Sequence, residues 1–131
     1  MSGFVIYDAG ALVAADKNQK PFLVRHDELL SHEITPVIPA PVLAQAWVPG
    51  SRHATLHRVI NGCEILAFTE DSARDVARLC RKAGRTDVVD GFVALAALNY
   101  EYAPVITSDV DDIRALLSAE PRAAKIIVRR P

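Results

Sequence analysis

The chain has 131 residues, half of them hydrophobic, with few aromatics and a formal net charge of −1. That size permits one compact domain whose core needs no disulfides. The near-neutral balance excludes the global basic field that drives strong nonspecific nucleic-acid binding, so any contact with phosphate has to be local.

No basic and apolar leader precedes the first strand, and no apolar run approaches the roughly 20 residues of a membrane span, so a soluble cytoplasmic protein without a membrane partner is expected. Cys63 and Cys80 lack the paired spacing of a zinc site and read as reduced core thiols. His26, His32, His53 and His57 likewise lack closing ligands at zinc spacing.

In chain order, Phe4 to Tyr7 reads as a first strand ending in Asp8, and the alanine- and leucine-rich stretch Ala9 to Ala15 as a helix. A second helix opens at Pro21, and Thr35 to Ile38 is a short strand between prolines. Pro41 starts a helix that carries Gln45 and Trp47 and is broken by Pro49-Gly50; another runs from Ser51 to Asn61. Cys63 to Phe68 reads as a third strand and Asp71 to Ala83 as an amphipathic helix stopped at Gly84, with Arg74, Arg78, Arg81 and Arg85 on a solvated face.

Val88 to Tyr102 is the most apolar helix, capped by Thr86 or Asp87, and is expected to lie at the centre of the molecule. Pro104 to Thr107 forms a fourth strand, and Ser108 with Asp111 resembles a capping box for a helix through Leu117. Ala124 to Val128 supplies a last strand, which Lys125, Arg129 and Arg130 mark as an edge. Strands alternating with helices predict an α/β sandwich, a parallel-dominated twisted sheet with helices on both faces.

Asp8, Asp90 and Asp109 fall where strands end or helices begin. In an open α/β sheet the crevice lies beyond the carboxyl ends of the strands, so such acids converge although distant in sequence. Aspartate is also a favoured helix N-cap, a role compatible with ligation. Crowded carboxylates repel one another and gain from a divalent cation, which points to Mg²⁺ or Mn²⁺ and chemistry on phosphate.

Four segments in order, VIYDAGALVA, PAPVLAQAW, TDVVDGFVALAA and VITSDVDDI, resemble the PIN domain, and in particular the VapC-like toxins of bacterial toxin–antitoxin modules. The resemblance spans nearly the entire chain and implies a PIN-like three-layer sandwich. It implies that Asp8, Asp90 and Asp109 are catalytic residues and metal ligands. The family's usual glutamate in the helix after the second strand falls on Gln45 here, which can still coordinate through its amide oxygen but brings no charge. Asp87 and Asp112, each three residues from a member of the triad, can make up that charge; Asp87 reads equally as a cap, and Asp111 as solvent-facing. Thr107 and Ser108 can orient carboxylates as outer-shell partners, or Ser108 can simply cap.

The implied reaction is endonucleolytic cleavage of RNA, with a divalent cation polarising the phosphodiester and activating a water. Arg52 and His53, in the basic loop after the Gln45 helix, are the candidate RNA contacts. Trp47 reads as core, with stacking on a base as the alternative. The resemblance also implies a homodimer and a cognate VapB-like antitoxin. Two rival readings are a degenerate PIN fold that binds RNA or antitoxin without cutting, motivated by Gln45, and a receiver-like phosphoacceptor module, which lacks its lysine and its paired acids here.

Overall fold

The computed structural model describes residues 3–131. Five strands, β1 (Gly3–Tyr7), β2 (Ile34–Pro39), β3 (Glu64–Leu66), β4 (Val105–Ile106) and β5 (Val128–Arg129), form one sheet in the order β3-β2-β1-β4-β5. Every pairing is parallel. All carboxyl ends therefore lie along one edge, and that edge is where the candidate acids emerge.

Seven α-helices connect and cover the strands: α1 (Ala9–Asp16), α2 (Lys20–Ser31), α3 (Ala40–Ala46), α4 (Ala54–Asn61), α5 (Glu70–Ala83), α6 (Val88–Asn99) and α7 (Val110–Leu117). Helices α1 to α4 pack on one another, with α2 and α3 against β2, while α5 and α7 flank α6, which lies across β1, β2 and β4. This is the α/β sandwich the alternation of elements predicts. Helix α6 is its central buried element: Gly91, Phe92, Val93, Ala94, Ala96 and Ala97 are all buried. Gly91 makes room for α5, since a Cβ there would lie 3.0 Å from Val76 Cγ1 and closer still to Cys80 Sγ. None of the helices among the described residues is long and apolar enough to cross a membrane.

Several boundaries differ from expectation. The last strand does not begin at Ala124: residues Pro121–Lys125 form a 3-10 turn, and β5 holds only Val128 and Arg129. The ladder sets this limit. Val105 and Thr107 donate to Ile127 and Arg129 carbonyls at 2.8 and 2.9 Å, while the next N–H on that side of β4, at Ala103, is taken by Ala97 O at 3.2 Å, so the pairing does not extend toward Lys125. Strand β5 is an edge strand, as its charges indicate. Helix α6 stops at Asn99, with Glu101 and Tyr102 both at φ 59° in the turn that follows.

The expected capping box at Ser108 and Asp111 does not form. Asp109 takes the N-cap position of α7, its carbonyl accepting the Ile113 N–H at 3.0 Å, and both Ser108 and Asp111 are exposed. Trp47 is not core either. It follows the last turn of α3 in an extended conformation and is 51% exposed. The two cysteines are free thiols, Cys80 buried and Cys63 half-buried.

The turn after β1 and the turn after β4 meet at Gly10. A Cβ at Gly10 would lie 2.9 Å from the Ser108 backbone nitrogen and closer still to its Oγ. Helix α1 can begin directly beneath the Ser108 loop only because that position has no side chain. Gly10→Ala is expected to lower stability by about 1–3 kcal/mol, the usual cost of overpacking, read as the midpoint of urea unfolding. An unchanged midpoint would mean that the loop yields freely.

Candidate metal centre

The site is assembled by the β1–β4 pairing. Register places Ile6 opposite Val105 and Tyr7 opposite Ile106, so the next residues, Asp8 and Thr107, emerge side by side. The Asp8 backbone N–H continues the ladder to Ile106 O at 3.0 Å. Both side chains are buried, and a buried polar group needs a partner. Each supplies one to the other, the Thr107 hydroxyl donating to Asp8 Oδ2 at 2.6 Å. The second oxygen, Asp8 Oδ1, accepts the Ala9 N–H at 2.8 Å and caps α1.

Thr107 also controls the third acid. Its Oγ1 accepts the Asp109 backbone N–H at 2.9 Å, so a single hydroxyl fixes the Asp8 carboxylate and the start of the Asp109 segment together. Asp90 arrives from the opposite side, in the first turn of α6, whose N-cap Asp87 accepts the Asp90 N–H at 3.0 Å. One carboxylate oxygen from each of Asp8, Asp90 and Asp109 lies within 4.8 Å of the other two. Asp8 and Asp90 are buried, and Asp109 is exposed at the mouth.

This arrangement is electrostatically costly. Two buried carboxylates no more than 4.8 Å apart repel by roughly 3 kcal/mol at an effective dielectric of about 20. Burial raises the Asp8 pKa against the opposing Thr107 and Ala9 hydrogen bonds, and the charges of Asp109 and Asp87 push it further up. Asp90 is raised to about 7, first by burial and then by Asp87, Asp8, Asp109 and Asp112. Among the described residues no lysine or arginine pairs with any member of the triad. Three hard oxygen donors without a balancing cation are chemically suited to a small divalent ion.

Beside the triad a crevice of about 240 Å³ is lined by Arg85, Thr86, Asp87, Asp90 and Asp112. Asp87 therefore both caps α6 and faces the crevice. Arg85, read from the sequence as part of a solvated face, stands at this rim with its guanidinium 3.6 Å from Asp112. Its position just past Gly84, outside the helical arginine stripe of α5, was the available signal. Ser108 packs over Gly10, and its carbonyl accepts from Arg130 at 3.0 Å.

Gln45 is exposed near the end of α3 and hydrogen-bonds to none of the triad. Arg52 and His53 lie in a 3-10 turn, Ser51–His53, ahead of α4. His53 Nδ1 is 2.6 Å from Asp16 Oδ1 at the end of α1, whereas Arg52 is exposed.

The fold recurs in solved structures. The chain superposes on a chain of the VapBC2 complex from Rickettsia felis, bound to a DNA fragment from its promoter, with a TM-score of 0.68 at 18% identity over 98% of both chains. FitAB bound to the IR36 DNA fragment matches with a TM-score of 0.63 at 18% identity, covering 97% of this chain and 94% of the other. FitAcB from Neisseria gonorrhoeae gives 0.62 at 17% identity, covering 95% and 96%. No protein-family profile and no curated protein matches the sequence. At this level of identity the likeness defines the fold, which is the PIN-like α/β sandwich expected from the sequence.

The raised pKa of Asp90 has a definite sign in stability. Its ordinary value of 3.8 applies to the unfolded chain and about 7 to the folded one, so between those limits the folded state binds the extra proton and stability falls as pH rises. Without divalent ions, the stability difference between the wild type and Asp90→Asn should decline from about pH 4 to about pH 7. Added Mn²⁺ should stabilise the wild type increasingly over the same window, because it replaces the proton. Thermal unfolding with EDTA or Mn²⁺ tests both; a difference that rises with pH would show that the Asp90 carboxylate is stabilised in its charged form.

Proposed function

We propose that the protein is a metal-dependent endoribonuclease and the toxin of a toxin–antitoxin pair. The observation that carries this reading is the meeting of Asp8, Asp90 and Asp109, from three separate elements, with oxygens within 4.8 Å of one another at the carboxyl edge of the sheet. These three would hold Mg²⁺ or Mn²⁺, which when bound polarises a phosphodiester and lowers the barrier to attack by water.

The protein's own side chains have distinct parts. Asp8, locked by Thr107 and Ala9, is the rigid ligand. Asp90, buried among the other acids, would ligate as a carboxylate, so that metal affinity would rise with pH. Asp109, the exposed member at the mouth, orients the attacking water and takes its proton. Thr107 and Ser108 shape the pocket, and Asp87 and Asp112 extend its negative field, drawing in the counter-ions that accompany an RNA strand. Arg52 and His53 contact the RNA backbone beyond the pocket. The occurrence of the fold in VapBC2 and FitAB supports a cognate VapB-like antitoxin as partner. Homodimer formation and action in the cytoplasm belong to the same reading.

Gln45 favours a second reading. A neutral amide where a nuclease of this kind usually has a carboxylate supplies no charge and no base, as in a PIN fold that binds RNA or antitoxin without cutting.

Purified protein incubated with total cellular RNA distinguishes them. Discrete fragments with Mg²⁺ or Mn²⁺, absent with EDTA and reduced at least a hundredfold in folded Asp8→Asn, are expected of the nuclease. Gln45→Glu should then lower the metal concentration needed for half-maximal cleavage. A folded parent that cuts at no Mn²⁺ concentration, beside a Gln45→Glu variant that does cut, would establish the binding-only reading instead.

A further inference from the structure

The segment from Ile34 to Cys63 contains no aspartate or glutamate, in a chain that has 16 of them, yet it carries Arg52, Arg58, His53 and His57. Acids from elsewhere engage part of this basic set. Asp27 lies 3.5 Å from Arg58, and Asp16 binds His53. Arg52 remains exposed and makes no ion pair or hydrogen bond among the described residues.

Five residues before it stands the sole tryptophan of the chain. Trp47 is 51% exposed, and within residues 45–61 no other large hydrophobic side chain is exposed. Its ring is held in place: the His57 imidazole stacks on it with centroids 5.6 Å apart and planes 15° from parallel. His57 is in turn anchored by Nε2 to Val48 O at 2.6 Å. An exposed indole stacked on a fixed imidazole, with an unpaired arginine five residues on and no acid in the segment, is a stacking platform suited to a nucleobase. The absence of other large exposed apolar side chains within residues 45–61 gives no extended apolar patch of the kind that marks a protein interface.

Its place in the fold fits that use. Helix α3 starts where β2 ends, on the sheet edge that carries Asp8, and Trp47 caps the far end of its seven residues, roughly 10 Å away at 1.5 Å per residue. We infer that Trp47, backed by His57, stacks a base of single-stranded RNA whose strand runs on to the acidic pocket, while Arg52 holds a phosphate of the same strand. This subsite rests on the reading of the pocket as a ribonuclease centre, and binding can be followed without cleavage.

The experiment titrates wild-type protein in EDTA with a short single-stranded RNA of mixed sequence, end-labelled so that anisotropy reports binding while Trp47 emission is read in parallel. Quenching that tracks the anisotropy is expected. Trp47→Ala should weaken binding roughly tenfold or more, and Trp47→Tyr should recover most of the loss. In a cutting protein, Trp47→Ala should raise KM and leave kcat nearly unchanged. Matching thermal unfolding of these variants keeps a folding defect apart from a binding one.

RNA binding with silent Trp47 emission and an unaffected Trp47→Ala overturns the platform while leaving the nuclease reading intact. Emission that varies with protein concentration and not with RNA overturns it in favour of self-association. Absence of any RNA binding overturns the platform as well, and metal-dependent cleavage then decides the nuclease reading separately. Quenching without cleavage in Mn²⁺ sustains the platform and removes the nuclease.

Discussion

The Thr107 hydroxyl is the interaction on which the site depends. One oxygen donates to Asp8 and accepts from the Asp109 backbone, so two carboxylates that arise 101 positions apart in sequence are set by a single side chain. That is possible only because β1 and β4 are parallel neighbours with Tyr7 opposite Ile106. A shift of one residue in the pairing would turn Asp8 away from Thr107 and leave its buried Oδ2 without a partner. The sheet register and the chemistry of the site are therefore the same constraint.

The acids are held together at a cost that the rest of the fold must bear. Burial and mutual repulsion both work against ionisation of Asp8 and Asp90, while hydrogen bonds to Asp8 oppose the shift only there. Helix α6 cannot retreat, since Gly91 lets it press closely on α5 and its buried face fills the centre of the molecule. A rigid frame that forces acids together is ready to exchange protons for a cation, and it needs little rearrangement to do so. Outside this frame, Arg85 at the crevice and Trp47 and Arg52 in the segment that follows α3 are exposed.

Much of this was legible in the sequence. Strand ends carry the acids because short apolar runs such as FVIY and PVIT stop sharply at a polar residue, and Asp87 and Gly84 sit at the helix ends that their types favour. What was not legible depended on tertiary geometry. Whether Trp47 is buried turns on how the chain continues after α3 ends at Ala46, and an aromatic flanked by Ala46 and Val48 gives no sign of that. The length of β5 was set by its partner, whose Ala103 N–H is turned to Ala97 O at the end of α6, and its own residues carry no such information. Ser108 matches a capping pattern, but the backbone used Asp109 because Ser108 is packed over Gly10. Arg85 looked like one more surface arginine until α7 brought Asp112 beside it.

The central claim is that Asp8, Asp90 and Asp109 form a divalent-metal centre. Anomalous scattering from crystals soaked in Mn²⁺ tests it most directly. One strong peak is expected at bonding distance, roughly 2.0–2.3 Å, from an oxygen of each of the three side chains, and it should be lost in Asp8→Asn crystals grown the same way. Crystals that take up Mn²⁺ only elsewhere, with the three carboxylates unligated, would contradict it.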